Sequence, residues 1–203
     1  MMSKPRSKSE EKRQAITAAA TKLFTELSFS QTSMDKVAKE AGVSKQTVYS
    51  HFGSKDELFV DTISQKCAAH KMDDLASHKL DDPEEALLTI AFSFLELVLS
   101  KEAVAMHRTC VAESESYPHV SRLFYAAGPK KALSEVTKCM AEFNKRGLLN
   151  IPEPRFAAVQ FIAMVKGEIC MQTDYNIEQR VDDETVKNYV HHSVAMFLRA
   201  YAV

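Results

Sequence analysis

Glycine and proline are scarce in this chain, five and six in 203 residues, and Val, Ile and Thr nowhere alternate with polar residues over the length of a strand. Hairpins need turn formers and strands need that alternation, so little material exists for a sheet. Ala, Leu, Lys, Glu and Met supply long helix-favouring runs instead. The expected class is all-α, with about nine helices, and a 45% hydrophobic content is ample for a buried core.

Long apolar runs are missing as well. The most apolar stretch, Ala86 to Ser100, contains Glu96 and falls short of the ~20 residues that span a bilayer, so it reads as a buried helix. The opening MMSKPRSKSEEKR is charged and leads into no apolar core, which speaks against a secretory leader or lipid anchor and for a cytoplasmic protein without membrane partners. Cys67, Cys110, Cys139 and Cys170 lie far apart, with no CxxC and no Cys/His cluster at zinc spacing, so reduced core residues are expected and neither metal nor cofactor is. His191 and His192 are adjacent on a helix and point about 100° apart, so they share no ion unaided. No Ser-His-Asp arrangement, HExxH or glycine-rich phosphate loop occurs, which argues against an enzyme.

What is present is an uneven charge. Residues 1 to 55 hold ten Lys and Arg against five Asp and Glu, whereas the remaining 148 hold sixteen against twenty-two. The near-neutral total of -1 therefore hides a basic first quarter, suited to a polyanion, on a body that is not.

The first quarter is also the most punctuated. Residues 10 to 27 place Ile16, Ala19, Ala20, Leu23, Phe24 and Leu27 on one helical stripe. The TSMD of Thr32 to Asp35 has the form of a helix N-cap, and a second helix is expected from about Met34 to Ala41. Gly42 supplies the positive φ that ends it, and Ser44 caps a third helix, Lys45 to His51. Two short helices about three residues apart form a helix-turn-helix, here about residues 32–53. SKDE, Ser54 to Glu57, starts a fourth helix expected to run to about Ala76. Further helices are expected over 82–100, 101–114, 119–127, 130–146, from Pro154 to about Tyr175, and from Asp182 or Asp183 to the end.

With Val37-Ala38, Ala41 to Ser44, Tyr49, His51-Phe52, Ser54-Lys55 and Glu57-Leu58, residues 10 to 60 resemble the DNA-binding domain of the TetR/AcrR family of bacterial transcriptional regulators. Residues 128 to 168, with Gly147-Leu148-Leu149 and Lys166-Gly167, are similar to one recurring form of that family's second domain. The resemblance implies a DNA-binding domain over 1–55 and a helical ligand-binding and dimerisation domain over 56–203, joined through the fourth helix. It also implies a homodimer on a near-palindromic double-stranded operator, released by a small apolar or amphipathic effector. Two alternatives stand beside this: a redox-responsive regulator using a thiol such as Cys110, and a helical small-molecule-binding protein without DNA binding.

Expected DNA-facing residues are Thr32, Ser33, Ser44, Lys45, Gln46, Thr47, Tyr49, Ser50, His51 and Lys55. Gln46 is the base reader, since an amide both donates and accepts as adenine N6 and N7 require. Tyr49, His51 and Lys55 are assigned to phosphates. Flexible and aromatic side chains, Phe94, Leu97, Met106, His107, Cys110, Phe124, Met140, Phe143, Phe161 and Met164, are candidates for an effector pocket. Broad apolar faces on the last two helices make Val159, Ala163, Gly167, Cys170, Val190, Val194, Phe197, Leu198 and Tyr201 candidates for a dimer interface.

Overall fold

The computed structural model describes residues 7–73, 75, 80–177 and 182–203. The expectation of no leader or anchor rests partly on the first six residues and, like the fourth helix's extension to Ala76, lies outside the described residues. These hold ten helices and no strand: α1 (Lys8–Leu27), α2 (Met34–Glu40), α3 (Lys45–His51), α4 (Lys55–Ala69), α5 (Pro83–Val98), α6 (Lys101–Ala112), α7 (Pro118–Ala127), α8 (Pro129–Lys145), α9 (Pro154–Asp174) and α10 (Asp183–Ala200). α4 stops short of its expected end because the chain turns at His70 and Lys71, the latter with φ 56. The all-α expectation holds.

Two compact units form: residues 1–65 with 105–127, and residues 66–104 with 128–203. In the first, the stripe of α1 buries Ile16, Ala20 and Phe24 together with Leu58, Phe59 and Ile63 of α4. The rings of Phe24, Phe29 and Phe59 pack with centroids 5.1 to 5.7 Å apart. α1 ends at Ser28, whose φ of 89 and ψ of 168 fall where a residue with a Cβ is strained by about 1–3 kcal/mol. Beyond it the Thr32 hydroxyl donates to the Ser28 and Leu23 carbonyls at 2.7 and 3.2 Å, closing the end of α1. The N-cap of α2 is therefore Ser33, which accepts from the Lys36 N–H at 3.2 Å, one residue later than the TSMD pattern suggests.

In the second unit α9 packs against α8, α10 and α5, and α10 also packs against α5. Phe143, Phe161, Val136, Val165 and Val190 are fully buried there. Asp82 and Asp182 cap α5 and α10, and the bonds from Thr185 hold the Asp182 carboxyl below its ordinary range. α9 is interrupted at Gly167, with φ 41 and ψ -149. The Tyr189 hydroxyl lies against this break and donates to the Met164 carbonyl at 2.6 Å. A Cβ at residue 167 would stand 2.0 Å from that oxygen, so only glycine fits.

Candidate nucleic-acid interface

The site is built on α3, a helix of seven residues with one buried side chain, Val48. Its start is set by Gly42, with φ 65, and by the Val43 N–H donating to the Ala38 carbonyl at 3.0 Å, which closes α2. Ser44 then caps α3 by accepting from the Thr47 N–H at 3.1 Å. Its end is held by Phe52, which is 3% exposed and lies under the Arg13 guanidinium at 4.3 Å. Arg13 also donates to the His51 carbonyl at 3.3 Å and pairs with Asp61 of α4, which accepts from Thr17 and Gln65 as well. The start of the short helix is thus set within the motif, and its end is held from outside it by Arg13 and Asp61.

That leaves a polar outer face. Lys45, Gln46, Tyr49 and Ser50 are exposed, and Thr47 and His51 are half-buried. Lys45 pairs with Asp35 of α2 at 2.8 Å, and the hydrogen bond to that carboxylate holds the ammonium above the ordinary lysine range. The Ser50 hydroxyl donates to the Thr47 carbonyl, and the Thr47 and Ser44 hydroxyls lie 2.8 Å apart. Ser33 is exposed beside them at the start of α2. Gln46 is exposed, and its single side-chain amide can both donate and accept.

Two expected DNA-facing residues are corrected. Thr32 is 2% exposed, with its hydroxyl committed to two carbonyls of its own turn. The Lys55 ammonium is directed inward: it donates to the Phe29 and Thr32 carbonyls at 2.9 and 3.0 Å and sits 4.1 Å over the Phe29 ring. Burial pushes its pKa down, the mark of a cation removed from water. Both residues shape the α1–α2 turn. Arg13 has the opposite history: its position off the apolar stripe of α1 reads as a solvated charge, and only the approach of α3 and α4 gives it a task.

The pocket candidates divide between the two compact units. Met106, His107, Cys110 and Phe124 belong to the first, where the His107 and Phe124 rings lie 6.2 Å apart. Phe94, Leu97, Met140, Phe143, Phe161 and Met164 belong to the second. Met140 and Phe143 are fully buried, and Phe161 meets Phe197 edge to face at 5.1 Å, a core contact. Burial raises the Cys110 and Cys139 thiols to about 12 and Cys170 to about 11, which disfavours the thiolate at each.

Four interface candidates are corrected too. Val190, Val194, Phe197 and Cys170 are 0, 1, 3 and 5% exposed, packed within the chain's own core. Gly167, Leu198 and Tyr201 are half-buried, and the Tyr201 hydroxyl donates to Gln160 at 2.9 Å. Val159 and Ala163 are exposed, and α9 also exposes Phe156 at 64% before its break at Gly167 and Met171 at 57% after it. Among the described residues no group of three or more His, Cys, Asp or Glu could hold a metal ion, and no helix is long and apolar enough to cross a membrane.

Two family profiles match the chain. Bacterial regulatory proteins, tetR family, covers residues 16–62, and AefR-like transcriptional repressor, C-terminal domain, covers residues 85–203. The HTH-type transcriptional regulator YhgD of Bacillus subtilis (strain 168) is 47% identical over 49 residues, 24% of this chain and 26% of that protein. HbdR of Aromatoleum sp. (strain CIB) and AcrR of Shigella flexneri match over 54 and 59 residues, so the chain spans about a quarter of the length of these curated relatives. A putative TetR-family regulator from Mesorhizobium loti MAFF303099 superposes with a TM-score of 0.82 at 25% identity, over 98% of this chain and 100% of that one. The flavonoid-responsive regulator FrrA gives a TM-score of 0.72 at 31% identity, over 94% and 96%.

Proposed function

Because the chain belongs to the TetR family of DNA-binding transcriptional regulators, we propose that it works as a homodimeric, ligand-responsive repressor on a near-palindromic operator. The observation that carries this reading is the outer face of α3: Lys45, Gln46, Tyr49 and Ser50 point to solvent from a helix that Val48, Phe52 and Arg13 hold still. Gln46 and Lys45 address base edges, while Ser33, Ser44, Thr47, Tyr49, Ser50 and His51 address the backbone around them. Two such helices enter successive major grooves ~34 to 36 Å apart. The functional division of the chain is near residue 55, with the helix-turn-helix over about 32–53.

The dimer face is the exposed side of α9, Phe156, Val159 and Ala163, continued by Tyr201 through its bond to Gln160. An apolar or amphipathic effector received by the helices after residue 55 favours a dimer geometry with the wrong spacing of recognition helices. Linkage requires that it bind the DNA-free form more tightly and that DNA weaken it reciprocally. A similar protein named for its response to flavonoids supports an amphipathic effector. The protein acts where DNA is, in the cytoplasm.

The test is selection of a duplex from a randomised pool, followed by titration of the selected and a scrambled duplex over a range of salt. A preference of about a thousandfold or more, with affinity falling steeply as salt rises, is expected. Equal affinity for the two duplexes sinks the regulator reading.

A further inference from the structure

We propose that Glu113, just past the end of α6, is a positioning residue for operator recognition: its carboxylate grips the α1–α2 turn from which the helix-turn-helix starts. The inference rests on the regulator reading above and concerns a residue far outside the motif. Glu113 Oε1 accepts from the Ser28 hydroxyl at 3.0 Å and from the Ser30 hydroxyl, across 85 and 83 residues of sequence. All three residues lie in the same compact unit.

The grip falls on the strained point of that turn. Ser28 has φ 89 and ψ 168, a region that residues with a Cβ hold only when their surroundings impose it. Its carbonyl is fixed from the other side by the Thr32 hydroxyl at 2.7 Å, and the residue after Thr32 is Ser33, the cap of α2. A contact chain therefore runs from Glu113 through Ser28 and Thr32 to the first residue of the helix-turn-helix. The second carboxylate oxygen, Oε2, is buried with no hydrogen-bond partner among the described residues. Burying an acceptor without a partner is costly, so packing stability alone is a poor reason for this carboxylate.

The charges around the turn are complementary. Lys55 of α4 donates to its Phe29 and Thr32 carbonyls, while Glu113 takes its two serine hydroxyls, and the cation and anion attract each other. Phe29 between them is covered by the Lys55 ammonium at 4.1 Å and met edge-on by the His119 ring at 5.7 Å. A relaxed Ser28 would redirect α2, and α3 with it. Base reading tolerates little displacement, whereas attraction of the basic surface to phosphates tolerates much. Glu113 should thus matter for specific binding and not for non-specific binding, a split that a merely stabilising residue would not produce.

The experiment compares wild type, Glu113→Ala, Glu113→Gln and Glu113→Ala with Ser28→Gly on the selected and scrambled duplexes, with helicity followed by circular dichroism at the assay temperature. Glu113→Ala is expected to lose about tenfold or more on the selected duplex and to stay within about twofold on the scrambled one. Adding Ser28→Gly should recover most of that loss, because glycine adopts the turn's φ without being held there. Should Glu113→Ala not fold, Glu113→Gln, which keeps one acceptor at the same place, must show the same split in smaller measure. A selected-duplex affinity unchanged in both variants, equal losses on both duplexes, or no recovery with Ser28→Gly overturns the role. A wild type without preference overturns the regulator reading and this role with it, whereas a wild-type preference that survives Glu113→Ala overturns this role alone.

Discussion

α3 and α9 are opposite solutions to holding a helix in place. α3 buries one side chain in seven residues, Val48, whereas α9 buries six in twenty-one. A helix with so little apolar surface cannot fix its own orientation, so Ser44, Phe52, Arg13 and the turn at Gly42 do it from outside. α9 is fixed by its own core and can tolerate a break at Gly167, with apolar surface to spare at Phe156 and Val159. A helix with a polar face and one buried side chain is oriented by a few specific contacts at its ends, whereas a helix with a broad apolar face is oriented along its length by the core it packs into.

The most damaging way to break that contrast is Phe52→Ala. Removing a buried ring beneath α3 is expected to cost about 3–5 kcal/mol and abolish DNA binding, read by chemical denaturation and titration of the selected duplex. A loss below about 1 kcal/mol would mean α3 is not anchored there. Gly167→Ala comes next, at about 3 kcal/mol, since it adds strain at positive φ to a clash with Tyr189. An unchanged thermal midpoint would show that α9 does not need its break.

Phe156→Ser with Val159→Ser sharpens the comparison from the other side. Because these side chains are exposed in one chain, the fold should survive while dimer affinity falls by about 2 kcal/mol or more. Sedimentation should find monomers of full helicity, and an intact dimer would move the interface elsewhere. Gln46→Ala should leave stability unchanged within about 0.5 kcal/mol, and repeated selection should show a changed base preference, worth about 1–3 kcal/mol at one position. The same preferred duplex for variant and wild type would remove Gln46 from base reading. Smallest of all, native protein near neutral pH should resist alkylation at Cys110, whose thiol is raised to about 12, until it is unfolded. Rapid labelling of the folded state would favour a redox role.

How far the sequence was legible follows the same contrast. The cap at Ser44 and the turns at Gly42 and Gly147 are local events whose causes lie within four residues and were readable, while the cap of α10 was narrowed to Asp182 or Asp183, of which the structure takes Asp182. The cap of α2 was misread by one position, because Thr32 and Ser33 both carry a hydroxyl and only the carbonyls of Leu23 and Ser28 decide which turns inward. Lys55 was misread for a related reason: a lysine at a helix start serves a phosphate equally well from outside, and the inward carbonyls of Phe29 and Thr32 come from another segment. On α10 the periodicity marked Val190, Val194 and Phe197 as apolar, but periodicity is silent on whether the partner is α5 and α9 or a second chain.

By itself the sequence determined the helical class, the helix-turn-helix with its caps, and the polar character of α3. Periodicity, capping and charge act over a few residues and need no distant partner. Only the tertiary structure decided that Arg13 and Phe52 pin α3, that Lys55 faces inward, that α9 breaks against Tyr189, and that Glu113 reaches Ser28. Each of those depends on groups brought together across tens of residues, and which pairs meet is settled by packing the whole unit and by no local pattern.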